Sequence, residues 1–594
     1  MKKIPYGIAN FEKISAADTY YFVDKTRYIQ TLEELGSAYL FFLRPRRFGK
    51  SLFLSVLEHY YDINRRDQFE ELFGSTYIGA HPTPLRNSLP ILKLNFSGIP
   101  TDRDMEQIQR SFDLLIAEFI EGFLIRYQSY IQNIDKIKDS VLKLSNATDM
   151  LRHFIFRLHT ENIKYYLLID EYDNFANNIL IHHGRDRYSG VTHRSGFLRS
   201  FFAAIKNATE TRTVERMFVT GVTPLVLSDV TSGMNIGDNL SASRPFNAML
   251  GFTPCEVDAM LDYYIGQRAV KAQDRAEIRD IMAVNYNHYC FCENTGERVY
   301  NSDMVLYFFN KYFQNQGIPG NLIDENARTD FGKLRFLIIE SRKLNGNFDI
   351  LTEILEKNRT DATLSHSFAI ADIIKHNKFK SFLYYLGLLT IHEFSYGSEF
   401  TLTIPNETVK TMHFEYIRQA LTESYAELRI DIDYLRAEFK RTAFEGRWEK
   451  LFGYILDMFY EAASIRDFIY REEGIKMFML AYLNITPLYF VESEPEMNRG
   501  FADIFFRKNY FTTDLTKYEY LIELKYLKAG EKGKQNPSAR SPEEPISRDA
   551  IEKIRLEALA QLERYALSRH ITCPLKKIVI ICASDKLLLM EEIQ

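Results

Sequence analysis

The strongest constraint in this sequence is a short basic turn between an apolar run and an apolar helix pattern. Residues 37–43 read SAYLFFL, residues 44–51 read RPRRFGKS, and residues 51–62 read SLFLSVLEHYYD with apolar residues at helical spacing. A P-loop has the pattern GxxxxGK[ST] between a strand and a helix, and here Arg44 replaces the first glycine. Further strand patterns alternate with helix patterns downstream, which predicts a parallel α/β sheet.

The residue types of this turn suit a triphosphate. Backbone N–H groups at a helix N-terminus can hold phosphate oxygens. Lys50 would reach the β- and γ-phosphates of ATP, and the Ser51 hydroxyl would ligate Mg²⁺. The arginines of the turn could serve a phosphate, a nucleic acid or an interdomain contact. The turn residues predicted to bind the nucleotide are Arg44, Arg46, Arg47, Gly49, Lys50 and Ser51.

Two carboxylates and a hydroxyl complete the candidate nucleotide site. The run LLIDE ends in Asp170 and Glu171, and the run VERMFVT ends in Thr220. Parallel sheets bind ligands at the carboxyl ends of their strands. Asp170 would hold Mg²⁺, and Glu171 would polarise the attacking water. Thr220 and Thr223 would sense the γ-phosphate. The alternative is a basic turn with an unrelated surface Asp-Glu pair, and the order of the three elements favours nucleotide binding instead.

A second group of charged residues follows two strand patterns near the C-terminus. GFADIFF places Asp503 in one predicted strand, and LIELKYL places Glu523 and Lys525 in the next. Alternation puts Glu523 and Lys525 on the same face. Two carboxylates suffice to hold Mg²⁺ against a phosphodiester, and Lys525 could orient the attacking water. The alternative is a strand with a solvated charged face, which spacing alone would favour.

Three further residues are predicted to support this second site. Glu449, in the preceding helix pattern GRWEKLFGYIL, is a candidate additional carboxylate. Gln561 and Tyr565 are four residues apart, so they share one face of a predicted helix.

Several motifs resemble one protein family. The similar stretches are IPYGIANFEKI, YYFVDKT, FFLRPRRFGKSLFLSVLEHYY, VTGVTPL, LGFT, NYNHYCF, VYNS and LGLLT. Together they resemble the AAA-ATPase-like family that is commonly fused to a PD-(D/E)XK nuclease domain. The resemblance implies ATP binding by Lys50 and Ser51 and an acidic pair at Asp170 and Glu171. The family's turn is itself of the RPRRFGKS type, so Arg44 does not imply a dead site.

The C-terminal pattern resembles the same nuclease superfamily. A helix carrying Gln and Tyr after ExK, as at Gln561 and Tyr565, is similar to that superfamily. One departure is that the family often shows a Gly-Arg pair before the Asp, whereas Phe501 and Ala502 precede Asp503 here. The resemblance implies metal binding by Asp503 and Glu523, with cleavage less firmly implied.

The predicted fold is α/β with four segments. Residues 1–252 would form an AAA-like parallel sheet, 253–325 a helical lid, 326–420 a winged-helix-like region and 421–594 a PD-(D/E)XK nuclease fold. Within the third segment, a helix followed by two alternating runs around Tyr396 predicts a hairpin. The polar, Pro- and Gly-containing stretch 530–548 predicts a mobile loop.

Composition limits the partners. With 594 residues the chain needs several cores, and a net charge of −5 means that any nucleic-acid surface is a local patch. The five scattered cysteines indicate a reducing compartment, with Cys290 and Cys292 as ordinary buried thiols. The sequence shows no apolar stretch that could span a bilayer. We therefore expect a cytoplasmic protein that uses ATP and Mg²⁺ and binds nucleic acid, DNA rather than RNA. Homo-oligomer formation is left open.

Three hypotheses follow. The first is an ATPase with a metal-dependent nuclease domain that ATP controls. The second is a non-cleaving ATP-dependent switch whose nuclease fold only binds nucleic acid or a partner. The third is an ATPase that recruits a protein through the winged-helix-like region, and it predicts no salt-dependent affinity for nucleic acid.

Overall fold

The structure of the protein is a computed structural model in which the chain forms two compact units. Unit 1 comprises Met1–Phe336 and Asp361–Thr408, and unit 2 comprises Leu337–Thr360 and Val409–Gln594. The residues that the structure describes are 1–193, 196–224, 237–293, 296–326, 338–340, 343–368, 376–397, 399–425, 427–461, 472–511, 515–527, 546–583 and 586–593. The predicted four-way division of the chain stays a prediction.

A parallel sheet forms the centre of unit 1. Its strands are β1 (Tyr39–Leu43), β2 (Ile91–Asn95), β3 (Tyr165–Asp170), β4 (Val214–Gly221) and β5 (Asp238–Asn239). The strand order is β2-β3-β4-β1-β5, and every adjacent pair is parallel. All six residues of β3 are buried, as expected for a strand covered on both faces. Because β4 lies between β1 and β3, the carboxyl ends of these three strands are neighbours.

Helices connect and cover these strands. In chain order they are α1 (Phe11–Ser15), α2 (Arg27–Glu34), α3 (Lys50–Tyr61), α4 (Phe69–Phe73), α5 (Tyr77–Ala80), α6 (Met105–Arg126), α7 (Ile134–Leu142), α8 (Ala147–Thr160), α9 (Asn174–Thr192), α10 (Phe197–Glu210), α11 (Pro254–Gly266), α12 (Arg275–Tyr286) and α13 (Ser302–Asn315). Helix α9 is kinked at Gly184. Helix α11 begins with a capping box, in which Thr253 and Glu256 satisfy each other's backbone N–H groups.

The chain then passes through short elements. These are β6 (Ile339–Glu340), β7 (Lys343–Leu344), α14 (Gly346–Lys357), β8 (Arg359–Thr363), α15 (His376–Tyr385), β9 (Thr390–Tyr396) and β10 (Glu399–Thr403). Strands β9 and β10 pair antiparallel, in a sheet of order β8-β10-β9. The predicted helix followed by a hairpin is therefore confirmed.

Unit 2 is built around a mixed sheet. Its remaining elements are α16 (Glu407–Ser424), which begins in unit 1, then α17 (Ile432–Glu445), α18 (Glu449–Glu461), α19 (Glu472–Leu483), β11 (Tyr489–Ser493), β12 (Ile504–Lys508), β13 (Glu519–Leu527), α20 (Arg548–Tyr565), β14 (Leu575–Ala583) and β15 (Leu587–Ile593). The strand order follows the chain from β11 to β15. Only the β13–β14 pair is parallel, because α20 carries the chain back across the sheet between them.

The predicted α/β class is confirmed by these two sheets. The edge strands β5 and β15 are not predicted, because β5 has only two residues and β15 lies at the end of the chain. Most of the predicted loop 530–548 lies outside the described residues. Within the described ranges, no helix is both long enough and apolar enough to cross a membrane.

Arg44 belongs to the core of unit 1, so its predicted role as a phosphate ligand is wrong. Its guanidinium group donates hydrogen bonds to the carbonyl oxygens of Leu43 (3.0 Å), Ser241 (2.6 Å) and Phe246 (3.0 Å). The same group lies 4.2 Å from the ring centres of both Phe42 and Phe291. These contacts hold the segments around 241, 246 and 291 against the end of β1, and they turn the guanidinium away from the neighbouring turn.

We expect Arg44→Met to lower the free energy of unfolding by about 3 kcal/mol or more, because it leaves buried carbonyls without donors. The matched variant Arg46→Met, in the same turn, should change it by less than about 1 kcal/mol. Urea denaturation measures both. Equal effects of the two variants would show that the buried guanidinium has no special structural role.

Candidate functional sites

The basic turn of unit 1, residues 44–51, contains two residues with left-handed backbone. Arg47 has φ +66° and Gly49 has φ +92°, and α3 begins immediately afterwards at Lys50. Left-handed turns beside a helix N-terminus can direct successive backbone N–H groups towards one point. This geometry confirms the strand-turn-helix that the sequence predicts. It also explains why a glycine is placed next to the lysine.

Lys50 lies behind this turn. Its ammonium group donates to the carbonyl oxygens of Arg44 (3.0 Å) and Pro45 (2.8 Å). Burial lowers the pKa of Lys50 to about 8, although the carboxylates of Asp170 and Glu171 oppose this shift. Lys50 is therefore a buried cation that faces the acidic end of β3.

The ends of β3 and β4 present oxygen atoms beside this cation. Asp170 is 2% exposed, and its Oδ1 has no hydrogen-bond partner within the described structure. The buried hydroxyl of Thr220, at the end of β4, likewise has no partner there. Buried polar atoms usually have partners, so unpaired oxygens here fit a bound cation and a phosphate group. Asp170 and Ser51 supply the oxygen ligands that Mg²⁺ prefers.

Glu171 and Asp173 have different tasks. Glu171 has φ +50°, accepts a hydrogen bond from Asn174 (2.7 Å) and lines a cavity beside the turn. Asp173, which the sequence reasoning missed, accepts hydrogen bonds from the backbone N–H groups of Val222 (3.1 Å) and Thr223 (2.8 Å). The hydroxyl of Thr223 also donates to Asp173. Thr223 is therefore held by Asp173, which corrects its expected role as a phosphate sensor.

A cavity of about 540 Å³ lies over the turn. Its wall includes residues 5 and 7–9, residues 21–23 and 25–26, residues 46–53 and residues 249–252. Ligand cavities of this size are typical of small-molecule sites. The motifs IPYGIANF, YYFVDKT and LGFT, which sequence reasoning recognised only by resemblance, thus converge on the cavity that the turn opens into.

Lys25 of the YYFVDKT motif fixes one wall of this cavity. Its ammonium group donates to the Ala248 carbonyl oxygen (3.0 Å) and to Glu256 (2.7 Å). Asp24 accepts the N–H groups of Thr26 (2.8 Å) and Tyr77 (2.7 Å). The motif therefore joins the N-terminal segment to the start of α11.

The remaining arginines of the turn both line the cavity. Arg47 forms ion pairs with Asp303 and with Asp324, the latter at 3.0 Å. Its carbonyl oxygen accepts a hydrogen bond from the Ser302 hydroxyl (3.3 Å). Arg47 therefore connects the turn to the N-terminus of α13, and Arg46 remains a predicted phosphate contact.

In unit 2, strand register brings the second group of charged residues together. Ile504 of β12 pairs with Ile522 of β13, so the next antiparallel positions are Asp503 and Glu523. Asp503 lies one residue before β12 rather than inside a strand. One of its carboxylate oxygens accepts the backbone N–H of Leu524 at 2.9 Å. The ammonium group of Lys525 lies 2.7 Å from Glu523 and 3.7 Å from Asp503.

Glu523 is the carboxyl group of this site whose ionisation is most strongly disfavoured. It is 1% exposed, and burial together with the Asp503 carboxylate raises its pKa from 4.5 to about 8, although Lys525 opposes the shift. Its Oε1 has no hydrogen-bond partner among the described residues. Two adjacent carboxylates with an unpaired oxygen fit a Mg²⁺ ion that keeps several waters. No group of three or more Asp, Glu, His or Cys side chains suited to a metal occurs in the described part of the chain.

Two further charged residues join this group, and sequence reasoning missed both. Lys476 of α19 is buried, and its ammonium group lies 2.9 Å from Glu494 and 4.0 Å from Asp503. The only sequence signal is a lysine on an otherwise apolar helix face, in IKMFML. The site therefore contains three carboxylates and two lysines.

Glu449 does not join the site, so its prediction as an additional carboxylate is wrong. Phe452 of the same helix contacts the ring of Phe506, and Phe506 contacts Tyr520, so α18 packs on the Tyr520 face of β13. Tyr520 and Glu523 are three positions apart on β13, so their side chains point to opposite faces. Glu449 thus lies on the face opposite to Glu523.

Gln561 and Tyr565 lie on α20, which packs on the sheet. Tyr565 belongs to the core cluster that includes Phe505 and Leu521. Its hydroxyl accepts a hydrogen bond from Arg564 (2.9 Å). The side-chain oxygen of Gln561 is buried without a partner in the described structure. Within that structure neither residue is hydrogen-bonded to Asp503 or Glu523, so their supporting role stays a prediction.

Comparison with known proteins finds two family matches in this chain. Residues 5–231 match the family described as "Predicted AAA-ATPase", and residues 470–592 match the PD-(D/E)XK nuclease superfamily. The chain belongs to this AAA-ATPase-like family with a C-terminal PD-(D/E)XK nuclease superfamily domain. An uncharacterized protein in the vnfD 5′ region of Azotobacter chroococcum is 30% identical over 420 residues, which cover 69% of this chain and 68% of the relative.

A solved structure was also matched. A Walker-type ATPase of Pyrococcus abyssi matches with 12% identity and a TM-score of 0.38, over 67% of this chain and 97% of its own. That likeness is too weak to support an inference about this AAA-ATPase-like protein. The inferences about its sites rest instead on the turn, the acidic strand end and the D…ExK group.

The raised pKa of Glu523 makes the stability of unit 2 depend on pH. Between its ordinary value of 4.5 and about 8, the folded state holds a proton that the unfolded state releases. In chelator, stability should therefore fall by about 2 kcal/mol as pH rises from about 6 to 9, and Glu523→Gln should remove this fall. Trp448 is the only tryptophan and is buried in unit 2, so its fluorescence reports urea unfolding of that unit. Parallel pH profiles of the two proteins would contradict the assignment.

Proposed function

We propose that unit 1 binds and hydrolyses ATP with Mg²⁺, and that unit 2 is a Mg²⁺-dependent nuclease that cleaves phosphodiester bonds of nucleic acid, DNA rather than RNA. The observation that carries the nuclease proposal is the meeting of Asp503, Glu523 and Lys525 where β12 and β13 separate. The charged residues of this site would contact the phosphodiester, which DNA and RNA share, so the test includes RNA.

In unit 1, the chain's own residues can position the triphosphate. The N–H groups of the turn would bind phosphate oxygens, and Lys50 would transfer its contacts from carbonyl oxygens to the more negative β- and γ-phosphates. Bound Mg²⁺ would neutralise developing charge on the phosphates. Asp170 and Ser51 would hold that ion. Glu171, oriented by Asn174, would orient the attacking water.

In unit 2, the two carboxylates would hold the ion and the lysines would balance charge. Bound Mg²⁺ would lower the pKa of a water and polarise the phosphodiester. Asp503 is oriented by the Leu524 N–H group, and Glu523 offers its unpaired oxygen. Metal binding would displace the proton from Glu523. Lys525 would orient the water or contact the phosphate.

A second candidate is a nuclease fold that binds nucleic acid without cleaving it. The observation that favours it is the presence of Lys476 and Lys525, which already compensate the carboxylates with protein charge. Such a site would bind a phosphate through its lysines and would need no metal. Asp503→Ala would then leave nucleic-acid binding and function intact.

The nuclease test measures Mg²⁺- and ATP-dependent cleavage of labelled single- and double-stranded DNA and RNA. We expect Glu523→Gln and Asp503→Asn to abolish cleavage, because each removes a negative metal ligand. Glu449→Gln is the matched control, since this carboxylate lies on the opposite face of β13, and it should leave the rate unchanged. Absence of cleavage with every substrate, with salt-dependent binding retained, would establish the non-cleaving alternative.

The ATPase test separates binding from hydrolysis. Lys50→Ala should weaken ATP binding about tenfold or more, because a charged phosphate contact is lost. Glu171→Gln should keep binding and slow hydrolysis by about 10²- to 10⁴-fold. Lys164→Ala, which removes a partly exposed lysine that pairs with Glu215, should change neither. Calorimetry and phosphate release measure the two quantities, and normal turnover by Glu171→Gln would remove this residue from the mechanism.

A further inference from the structure

The loop before Asp503 adopts a fixed, unusual backbone. It connects β11 to β12 through residues 494–501. Three of its residues that are not glycine have left-handed backbone, namely Glu494 (φ 48°), Asn498 (φ 39°) and Arg499 (φ 69°). Such conformations cost free energy and persist only where the surroundings impose them, and they concentrate at functional sites.

Unit 2 supplies those surroundings. The backbone N–H groups of Met497 and Gly500 donate to each other's carbonyl oxygens at 2.7 and 3.1 Å. The Asn498 amide donates to the Arg564 carbonyl oxygen at 2.9 Å. Met497 is buried in the core cluster, and a side chain at Gly500 would meet the Tyr565 ring. The loop is therefore fixed to the end of α20.

This fixed loop holds an aromatic ring in solvent beside the nuclease site. Phe501 is 64% exposed, although its neighbour Ala502 is fully buried. Asp503 follows two residues later. Arg499, also exposed, adds a cation to the same loop. An exposed phenyl ring gives up the stabilisation that burial would provide. Exposed aromatic rings together with cationic side chains are the combination that binds single-stranded nucleic acid.

We propose that Phe501 stacks on an unpaired base of the substrate, so that unit 2 takes single-stranded nucleic acid or a splayed end. This inference rests on the proposed nuclease function. In a duplex both faces of each base are covered by neighbouring bases, whereas an unpaired base has a free face for the ring. Stacking tolerates any base, so the ring would select strand state rather than sequence. Arg499 would contact the flanking phosphate.

The competing arrangement is a wedge. An exposed phenylalanine can also enter a duplex between base steps and kink it. If Phe501 acts as a wedge, the protein should bind double-stranded nucleic acid as well as it binds single strands. A protein partner that covers Phe501 would instead leave nucleic acid binding independent of the ring.

The first test measures stacking without cleavage. Phe501→Trp places an indole at the exposed position, and the native Trp448 is buried, so quenching by added solutes reports the new ring. In chelator, oligodeoxythymidylate should quench this fluorescence, whereas an abasic oligonucleotide of equal length and a blunt duplex should not. Equal quenching by the duplex would reject stacking on an unpaired base and would favour the wedge arrangement. Equal quenching by the abasic strand, or no quenching, would overturn the proposal.

The second test measures the consequence for cleavage. Phe501→Ala should raise KM for single-stranded DNA roughly five- to 150-fold, and Phe501→Trp should restore it. Leu567→Ala, which removes another strongly exposed apolar side chain of unit 2, should leave KM unchanged. Unchanged KM in Phe501→Ala overturns the inference and leaves the nuclease proposal intact. Quenching in a protein that never cleaves supports stacking and rejects the nuclease.

Discussion

The free-energy cost of burying charge governs both sites of this protein. Lys50 is a buried cation whose charge is stabilised by backbone carbonyl oxygens and by the acids at the end of β3. Glu523 is a buried acid next to Asp503, and two lysines and one backbone N–H group compensate this pair. Buried charges of this kind are stable only when they are paired or neutralised. Each strand end therefore has to bring opposite charges together, and the two sheets do so by their register.

The sheets achieve this in different ways. In unit 1, parallel strands place their carboxyl ends at one edge, so residues from three separate chain segments meet without any strand bending. In unit 2, antiparallel register places Asp503 opposite Glu523 at the point where β12 and β13 separate. The first solution leaves open space above the strand ends, where the cavity lies. The second places two carboxylates side by side at the point where the strands part.

Local sequence patterns correctly predicted the backbone elements of the first site, but they predicted the roles of some of its side chains wrongly. The strand-turn-helix around Lys50 and the acidic end of β3 depend on neighbouring residues, and both are confirmed. Arg44 was misassigned because its acceptors at Ser241 and Phe246 lie about 200 residues away in the chain. Asp173 was missed for a similar reason, since its partners Val222 and Thr223 follow β4. A sequence shows charge at a position, but it does not show which distant carbonyl will accept its hydrogen bond.

The second site shows the same limit for helices that face a sheet. Alternation along β13 correctly put Glu523 and Lys525 on one face. Glu449 was misassigned because nothing in one sequence says which face of the sheet α18 covers. The sequence did not predict that Lys476 belongs to the site, because buried lysines are rare. Its role follows from the structure, which places Glu494 and Asp503 beside it.

The residue type at Phe501, which differs from the family pattern before the Asp, affects the charge balance of the second site. The family often has an arginine before the Asp, whereas this chain has a phenyl ring there and a buried lysine, Lys476, near the carboxylate. An arginine in front of the site would contact phosphate through its charge and would be indifferent to base pairing. A ring provides no charge, so in the proposed nuclease phosphate binding would come from Lys476, Lys525 and Arg499, and the front of the site would be sensitive to whether a base is exposed. On this proposal, replacing charge by an aromatic surface at that position would shift recognition from the backbone of the nucleic acid towards the state of its bases.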